Sequence, residues 1–170
     1  MKLKNIILIA VISFFSLSSY AQSDIVDIIL HSENHTTFTA TIKAANLVST
    51  LKEKGPYTIF APTNEAFDKL EQGKLQFLLQ PENKAILSTT LTYHAIPAYL
   101  TANNIVDQIK IGDGTFKMTT VAGNILTASI KDGNVILTDS SGNIATITAT
   151  DLKGSNGTIH VIDGVMIPIN

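Results

Sequence analysis

His31, Glu33 and His35 are of the types that bind metals or move protons, and they alternate with polar residues over five positions. On a helix, imidazoles four apart would share a face and could take a divalent cation. The order is H-x-E-x-H, however, and not the H-E-x-x-H of zinc peptidases. No third ligand stands nearby, and Ser32, Asn34 and Thr36 between them read as a helix end. A solvated helix terminus is therefore expected there, without a metal. Asp139, Ser141 and Asn143 copy the first ligand positions of a calcium loop, but the required glycine and distal acid are missing. A hairpin turn is the better reading. The chain has no cysteine, no G-x-S-x-G elbow and no P-loop or G-x-G-x-x-G run. No acid, base and nucleophile fall into a catalytic pattern, so neither an enzyme nor a cofactor is expected.

Charge excludes another class. The 12 cationic residues are all lysine and face 14 acids, giving a formal charge of −2. Without arginine the chain lacks the planar fork that reads phosphate and guanine, so nucleic acid is not an expected partner. Lys2 and Lys4 precede an apolar run from Ile6 to Phe15 that is short for a membrane span, and Ser19-Tyr20-Ala21 places small residues as a cleavage site requires. Residues 1–21 are thus expected to be a signal peptide. Residues 22–170 would be one exported domain, periplasmic or extracellular, with no stable membrane insertion after cleavage. Without disulfides its stability must come from a core, which 45% hydrophobic composition permits. Asn34-His35-Thr36 and Asn156-Gly157-Thr158 are glycosylation sequons, relevant only in a eukaryotic host.

The elements that would position these residues run helices first and strands after, an α+β layout. Asp24 caps a short helix carrying Ile25, Ile28 and Ile29. A second helix is expected from Thr37 to Lys54, with Phe38, Ile42, Ala45, Val48 and Leu51 on one face and Gly55-Pro56 as its stop. Tyr57 to Phe67 reads as strand, corner and helix start: aromatic and β-branched residues, then Pro62, then the N-cap types Thr63 and Asn64. That helix should reach Leu70. Leu75 to Leu79 forms another turn, Pro81 opens a longer helix through Leu91, and Thr101 to Val106 forms a last turn. From Thr115 onward the pattern is antiparallel sheet, with a hairpin at Asp132-Gly133 and a turn at Ser141-Gly142-Asn143. Thr158 to Ile162 and Val165 to Ile169 are expected to be closing strands.

Three runs in order carry a family resemblance: Tyr57 to Phe67, then Leu91-Thr92-Tyr93-His94-Ala95-Ile96-Pro97, then Asn156-Gly157-Thr158-Ile159-His160-Val161-Ile162-Asp163-Gly164-Val165-Met166-Ile167-Pro168. Together they resemble the signatures of the fasciclin (FAS1) domain, with Met166 where the second signature has leucine. The resemblance implies a FAS1-type β-wedge of about seven strands packed with several α-helices. It also implies a secreted or surface-attached protein of adhesive function. Phe60, Pro62, Thr63, Asn64, Phe67, Asn156, Gly157, His160, Asp163 and Pro168 would build the fold. Asn64 is expected to be a helix cap, and His94 a core histidine bonded to Asn64 or to the backbone of the first run. His160 alternates away from the apolar residues of its strand, toward exposure.

In matrix proteins of the family, an Asp-Ile pair before the second signature and the Tyr-His segment are implicated in integrin contacts. The matching residues here are Asp151, Leu152, Tyr93 and His94, with leucine replacing isoleucine. A turn or capping role for Asp151 is the plainer alternative. The resulting expectation is a non-enzymatic adhesion or matrix-interaction domain whose partner is a surface or matrix protein or glycan. The alternative is a binding protein for a small apolar or carbohydrate ligand, which a pocket of several hundred cubic ångströms would favour.

Overall fold

A computed structural model of the chain describes residues 22–53 and 55–168. The expected signal segment, Lys54 and Ile169 lie outside the described residues.

The first helix, α1 (Ile25–Leu30), starts where Asp24 accepts the Asp27 amide at 2.8 Å, and it buries Ile25, Val26 and Ile29. The single helix expected from Thr37 is in fact two, α2 (Thr36–Ala44) and α3 (Val48–Lys52). Asn46 at φ +60° breaks them apart, a conformation asparagine tolerates better than most side chains. The apolar face survives the break, because Phe38, Ile42, Ala45, Leu47 and Leu51 all enter one core. Gly55 is not the helix cap: Glu53 is already extended. Glycine is needed at 55 for a different reason, since a Cβ there would lie 2.2 Å from the Asn156 carbonyl.

Strand β1 (Tyr57–Pro62) leads through Thr63 into α4 (Asn64–Asp68), followed by α5 (Lys74–Leu78). Pro81–Asn83 form a 3₁₀ turn, so the proline opens that turn and not the α-helix itself, α6 (Lys84–Tyr93). A short strand β2 (Ala95–Ile96) follows. The turn expected at Thr101 is a full helix, α7 (Ala102–Ile111), held by a capping box between Thr101 and Asn104. Its buried Ile105 and Ile109 lie four apart, which fixes one inward stripe, while Asn103, Asp107, Gln108 and Lys110 face out together with the exposed Ile111.

The sheet is completed by β3 (Thr115–Thr119), β4 (Ile125–Lys131), β5 (Asn134–Thr138), β6 (Ile144–Gly154) and β7 (Gly157–Ile162). The β4–β5 link is the expected hairpin, with Asp132 and Gly133 both at positive φ. Strand order is β2-β1-β7-β6-β5-β4-β3. All pairs are antiparallel except β1 with β7, which run parallel from Tyr57↔Gly157 to Pro62↔Ile162. The Val121 amide, just past β3, donates to the Ala95 carbonyl of β2 at 2.8 Å, so the two ends of the sheet nearly meet.

Two cores flank the central strands. On one face Ile59, Ala61 and Ile159 pack with α1, α2, α6 and their neighbours. On the other, Phe60 and Ile162 pack with Ile105, Ile109, Met118, Leu126 and Leu137 inside the curled sheet. Residues 165–168 do not form the second closing strand. Their amides are taken by side chains: Met166 by His94 and Ile167 by Asp139. A ladder is thereby replaced by two anchors.

Candidate functional site

The three signature runs meet at the centre of the sheet, where the chemistry is structural. The Phe60 amide donates to the His94 carbonyl at 2.9 Å, joining the first run to the second. His94 Nδ1 donates to the Thr90 carbonyl at 2.8 Å, which leaves Nε2 to accept the Met166 amide at 3.1 Å and joins the third. Its partners are therefore α6 and the 165–168 segment, and not Asn64. Burial holds the His94 pKa down at about 4, against partial opposition from the Thr90 carbonyl and Asp139. Tyr93 is equally buried, and its hydroxyl donates to the Ile125 carbonyl at 2.7 Å. Burial raises its pKa. With 0% and 1% exposure, Tyr93 and His94 offer a partner no surface while the domain is folded.

His160 is not exposed: it is fully buried, stacked on Phe60 with ring centres 5.6 Å apart. Strand alternation leaves one face wet only in a sheet with one open side, and β7 lies between β1 and β6 with both faces covered. Nε2 donates to the Leu100 carbonyl at 2.8 Å, and Nδ1 faces the Asp151 amide at 3.4 Å. Burial lowers its pKa as well. Asp151 sits in a bulge of β6 at φ +57°, and Oδ1 accepts the Ala102 amide at 3.0 Å, so its carboxylate caps α7. Leu152 beside it is 40% exposed, and Asp151 is partly exposed, so these two of the four are the ones a partner can reach.

The remaining signature residues also bind the chain to itself. Thr63 caps α4 by accepting the Ala66 amide at 3.2 Å. Asn64 caps a different helix, α2: Oδ1 accepts the Thr37 amide at 3.0 Å and the Thr36 hydroxyl at 3.1 Å, while Nδ2 donates to the Glu33 carbonyl at 2.9 Å. Pro62, Phe67 and Pro168 are buried, and Phe67 lies 6.4 Å from the Phe38 ring. Asn156 ties the Ile25 amide to the Leu51 and Glu53 carbonyls, so the asparagine of that sequon is already engaged. Gly157 must be glycine, because a Cβ would lie 2.1 Å from the Tyr57 carbonyl. Asp163 Oδ1 accepts the Thr146 amide at 2.6 Å, and Lys69 donates to the Asp163 carbonyl at 2.7 Å. An Asn64→Ala variant should lose about 1–2 kcal/mol of stability, as for a lost helix cap. Urea unfolding of the variant checks this, and an unchanged midpoint would mean that α2 needs no cap.

His31 and His35 do not share a face. His31 is exposed and bonded to the Asp27 carbonyl at 2.7 Å, whereas His35 is buried against the Ser32 hydroxyl at 2.7 Å. Burial lowers the His35 pKa. Asp139 closes its own turn, accepting the amides of Ser141 and Asn143 on Oδ1.

Among the described residues, two of the open surfaces are set apart by their extent and lining. The first is the outer face of β3–β6. Met118, Leu126, Ala128, Leu137 and Ala145 point inward, so their alternates point out. In register across the strands these are Lys117, Thr127, Thr138 and Ile144 in one row and Thr115, Ser129, Ile136 and Thr146 in the next. No acidic residue stands among them. The second is a cleft of about 400 Å³ between the α4–α5 segment and residues 141–144 and 163–167. The open face lies outside the signature runs, whereas the cleft is lined in part by them, through Ala66 of the first and Asp163 to Val165 and Ile167 of the third.

Comparison with known proteins follows the geometry. The fasciclin-domain family model matches residues 33–168. Protein sll1483 of Synechocystis is 42% identical over 144 residues, covering 85% of this chain and 73% of that protein. Immunogenic protein MPB70 of Mycobacterium bovis is 33% identical, covering 78% of this chain and 63% of its own. Among solved structures, a FAS1 domain pair from the insect cell adhesion molecule fasciclin I superposes with a TM-score of 0.63 at 22% identity. That match covers 77% of this chain and 44% of the pair, and it concerns the fold alone.

Proposed function

Because this chain belongs to the fasciclin-domain family, we propose that it is a non-enzymatic, exported domain that holds a surface or matrix macromolecule, protein or glycan. The observation that carries this reading is the open face of β3–β6. It presents hydroxyl and isoleucine side chains in register on four neighbouring strands, with lysine as its only charge. A broad face of this kind suits an extended neutral or acidic partner better than a small substrate. Leu152, exposed at the β6 bulge, is the more accessible side chain of the resembling Asp-Leu pair.

The test is binding of the purified domain to matrix proteins, to glycans and to the producing cells. A Thr127→Glu/Thr138→Glu variant changes two cross-strand neighbours on the open face. Binding should fall at least ~10-fold, as for a charge placed in an interface centre, while the domain stays folded with an unfolding midpoint lowered only modestly by the two facing carboxylates. Unaltered binding would remove this face from the reading, and a wild-type domain that binds nothing would remove adhesion itself.

A second reading, capture of a small apolar or carbohydrate ligand, is favoured by the cleft of about 400 Å³, a volume within the range of small-molecule sites.

A further inference from the structure

We propose that the cleft beside α4 and α5 takes an amphipathic monoanion, with its apolar body on the cleft floor and its carboxylate on Lys74. This rests on the ligand-capture reading and names the class of ligand. The lining is mixed: its apolar part is Leu70 and Ile167, partly exposed and packed against the helical cluster, over the buried Ala66 and Val165. It is also held in place from behind, because the amides of Met166 and Ile167 are fixed by His94 and Asp139. A ligand laid there meets a preformed surface, which limits the ordering that binding would require. Ile144, 55% exposed at the mouth, extends the apolar contact outward.

The head group follows from which charges are already engaged. Lys69 donates to the Asp163 carbonyl at 2.7 Å and lies 3.6 Å from its carboxylate. Asp163 in turn accepts the Thr146 amide. Lys74, by contrast, forms no ion pair among the described residues, and its ammonium stands over the Phe77 ring at 5.8 Å. It is half-buried in the cleft wall, which it shares with Glu71 and Asp163, and a ligand carboxylate in contact with it would give it an ion pair. Glu71 lines the same cleft and disfavours a dianion such as a phosphate monoester. No aromatic ring among the described residues lines it either, so a stacking platform of the kind sugars favour is missing there and a carbohydrate is the poorer fit.

The experiment titrates the purified domain, residues 22–170, with decanoate, 1-decanol and a neutral disaccharide, each below its aggregation limit, by calorimetry and amide chemical-shift mapping. Decanoate should bind and shift Lys74 and Gly164 to Ile167. Lys74→Gln should weaken decanoate roughly tenfold, the scale of one charge-assisted contact, and leave decanol unchanged. Decanol binding as tightly as decanoate, or a Lys74→Gln variant without effect, would overturn the anion assignment while the cleft remained a ligand site. Binding of the disaccharide alone would overturn the class, and binding of none of the probes would overturn the ligand-capture reading as well. Lys74 lies at the surface of a short helix, so the variant folds as the parent does, which its unfolding midpoint checks.

Discussion

Replacing His94 by alanine will lower the unfolding free energy by about 3–5 kcal/mol, a large share of the total for a domain. The ring is fully buried, 6.0 Å from Phe38, so its loss leaves a cavity between the two cores. It also strands the Met166 amide and the Thr90 carbonyl, which lose the imidazole as partner. Urea unfolding reads the loss, and a drop in melting temperature of roughly 10 °C should accompany it. His94→Gln, which can still accept from Met166, should lose less. If the alanine variant unfolded at the parental midpoint while adhesion disappeared, the residue would have to act on a partner, and its burial would need another explanation.

Acid should weaken the domain over a defined range. The His94 pKa is about 4 in the fold against an ordinary 6.5, so between those values the unfolded chain binds more protons than the native one. The stability this residue contributes is fully present above pH 6.5 and is lost as pH falls toward 4. The difference is on the order of 3 kcal/mol for this group. His35 and His160, also lowered by burial, act in the same direction. Asp27, held below its usual value chiefly by its hydrogen bond to Lys52, gives up its contribution only under more acid conditions. The urea midpoint should therefore drop steadily from pH 7 to pH 4.5, and the slope should flatten in His94→Gln. A flat wild-type profile over that interval would mean that the histidines take up protons without cost, contrary to their surroundings.

Much of the fold was legible because local chemistry and family pattern agreed. The strand, proline corner and cap of Tyr57 to Phe67 appear as read, and so does the Asp132-Gly133 hairpin. What escaped was tertiary. Nothing near Asn46 in the sequence announces a left-handed residue inside an apolar helical pattern. The partner of Asn64 is α2, a helix that starts 28 residues earlier in the chain, and no cap preference reveals that reach. His160 reads as exposed from alternation alone, and only the position of β7 between two strands, with a core on each face, makes it buried. The length of α7 was missed because five of its residues beyond Val106 are mostly polar, and the inward isoleucine stripe is narrow.

The possible contact surfaces were the least legible part. Tyr93 and His94 carry the resemblance but lie inside, whereas the hydroxyl rows and the cleft assemble from strands and segments far apart in the chain. Most signature residues here hold the wedge together, and those that reach a surface, such as Asp163 and Ile167, do so at the cleft. A family assignment is therefore strong evidence for fold and weak evidence for partner.

The parallel pairing of β1 with β7 also has a consequence for how the chain acquires its structure. Tyr57 must wait for Gly157, and until the last strand is made β1 has only the two residues of β2 beside it. Loop closure over that span is slow, and rates fall as contacts become more distant in sequence. During synthesis, the apolar segment Tyr57 to Ala61 stays unpaired on its inner edge while nearly all the rest of the domain emerges. The nascent chain is thus kept loose by its own topology, and it is in this interval, before β7 arrives, that it most needs shielding from its neighbours.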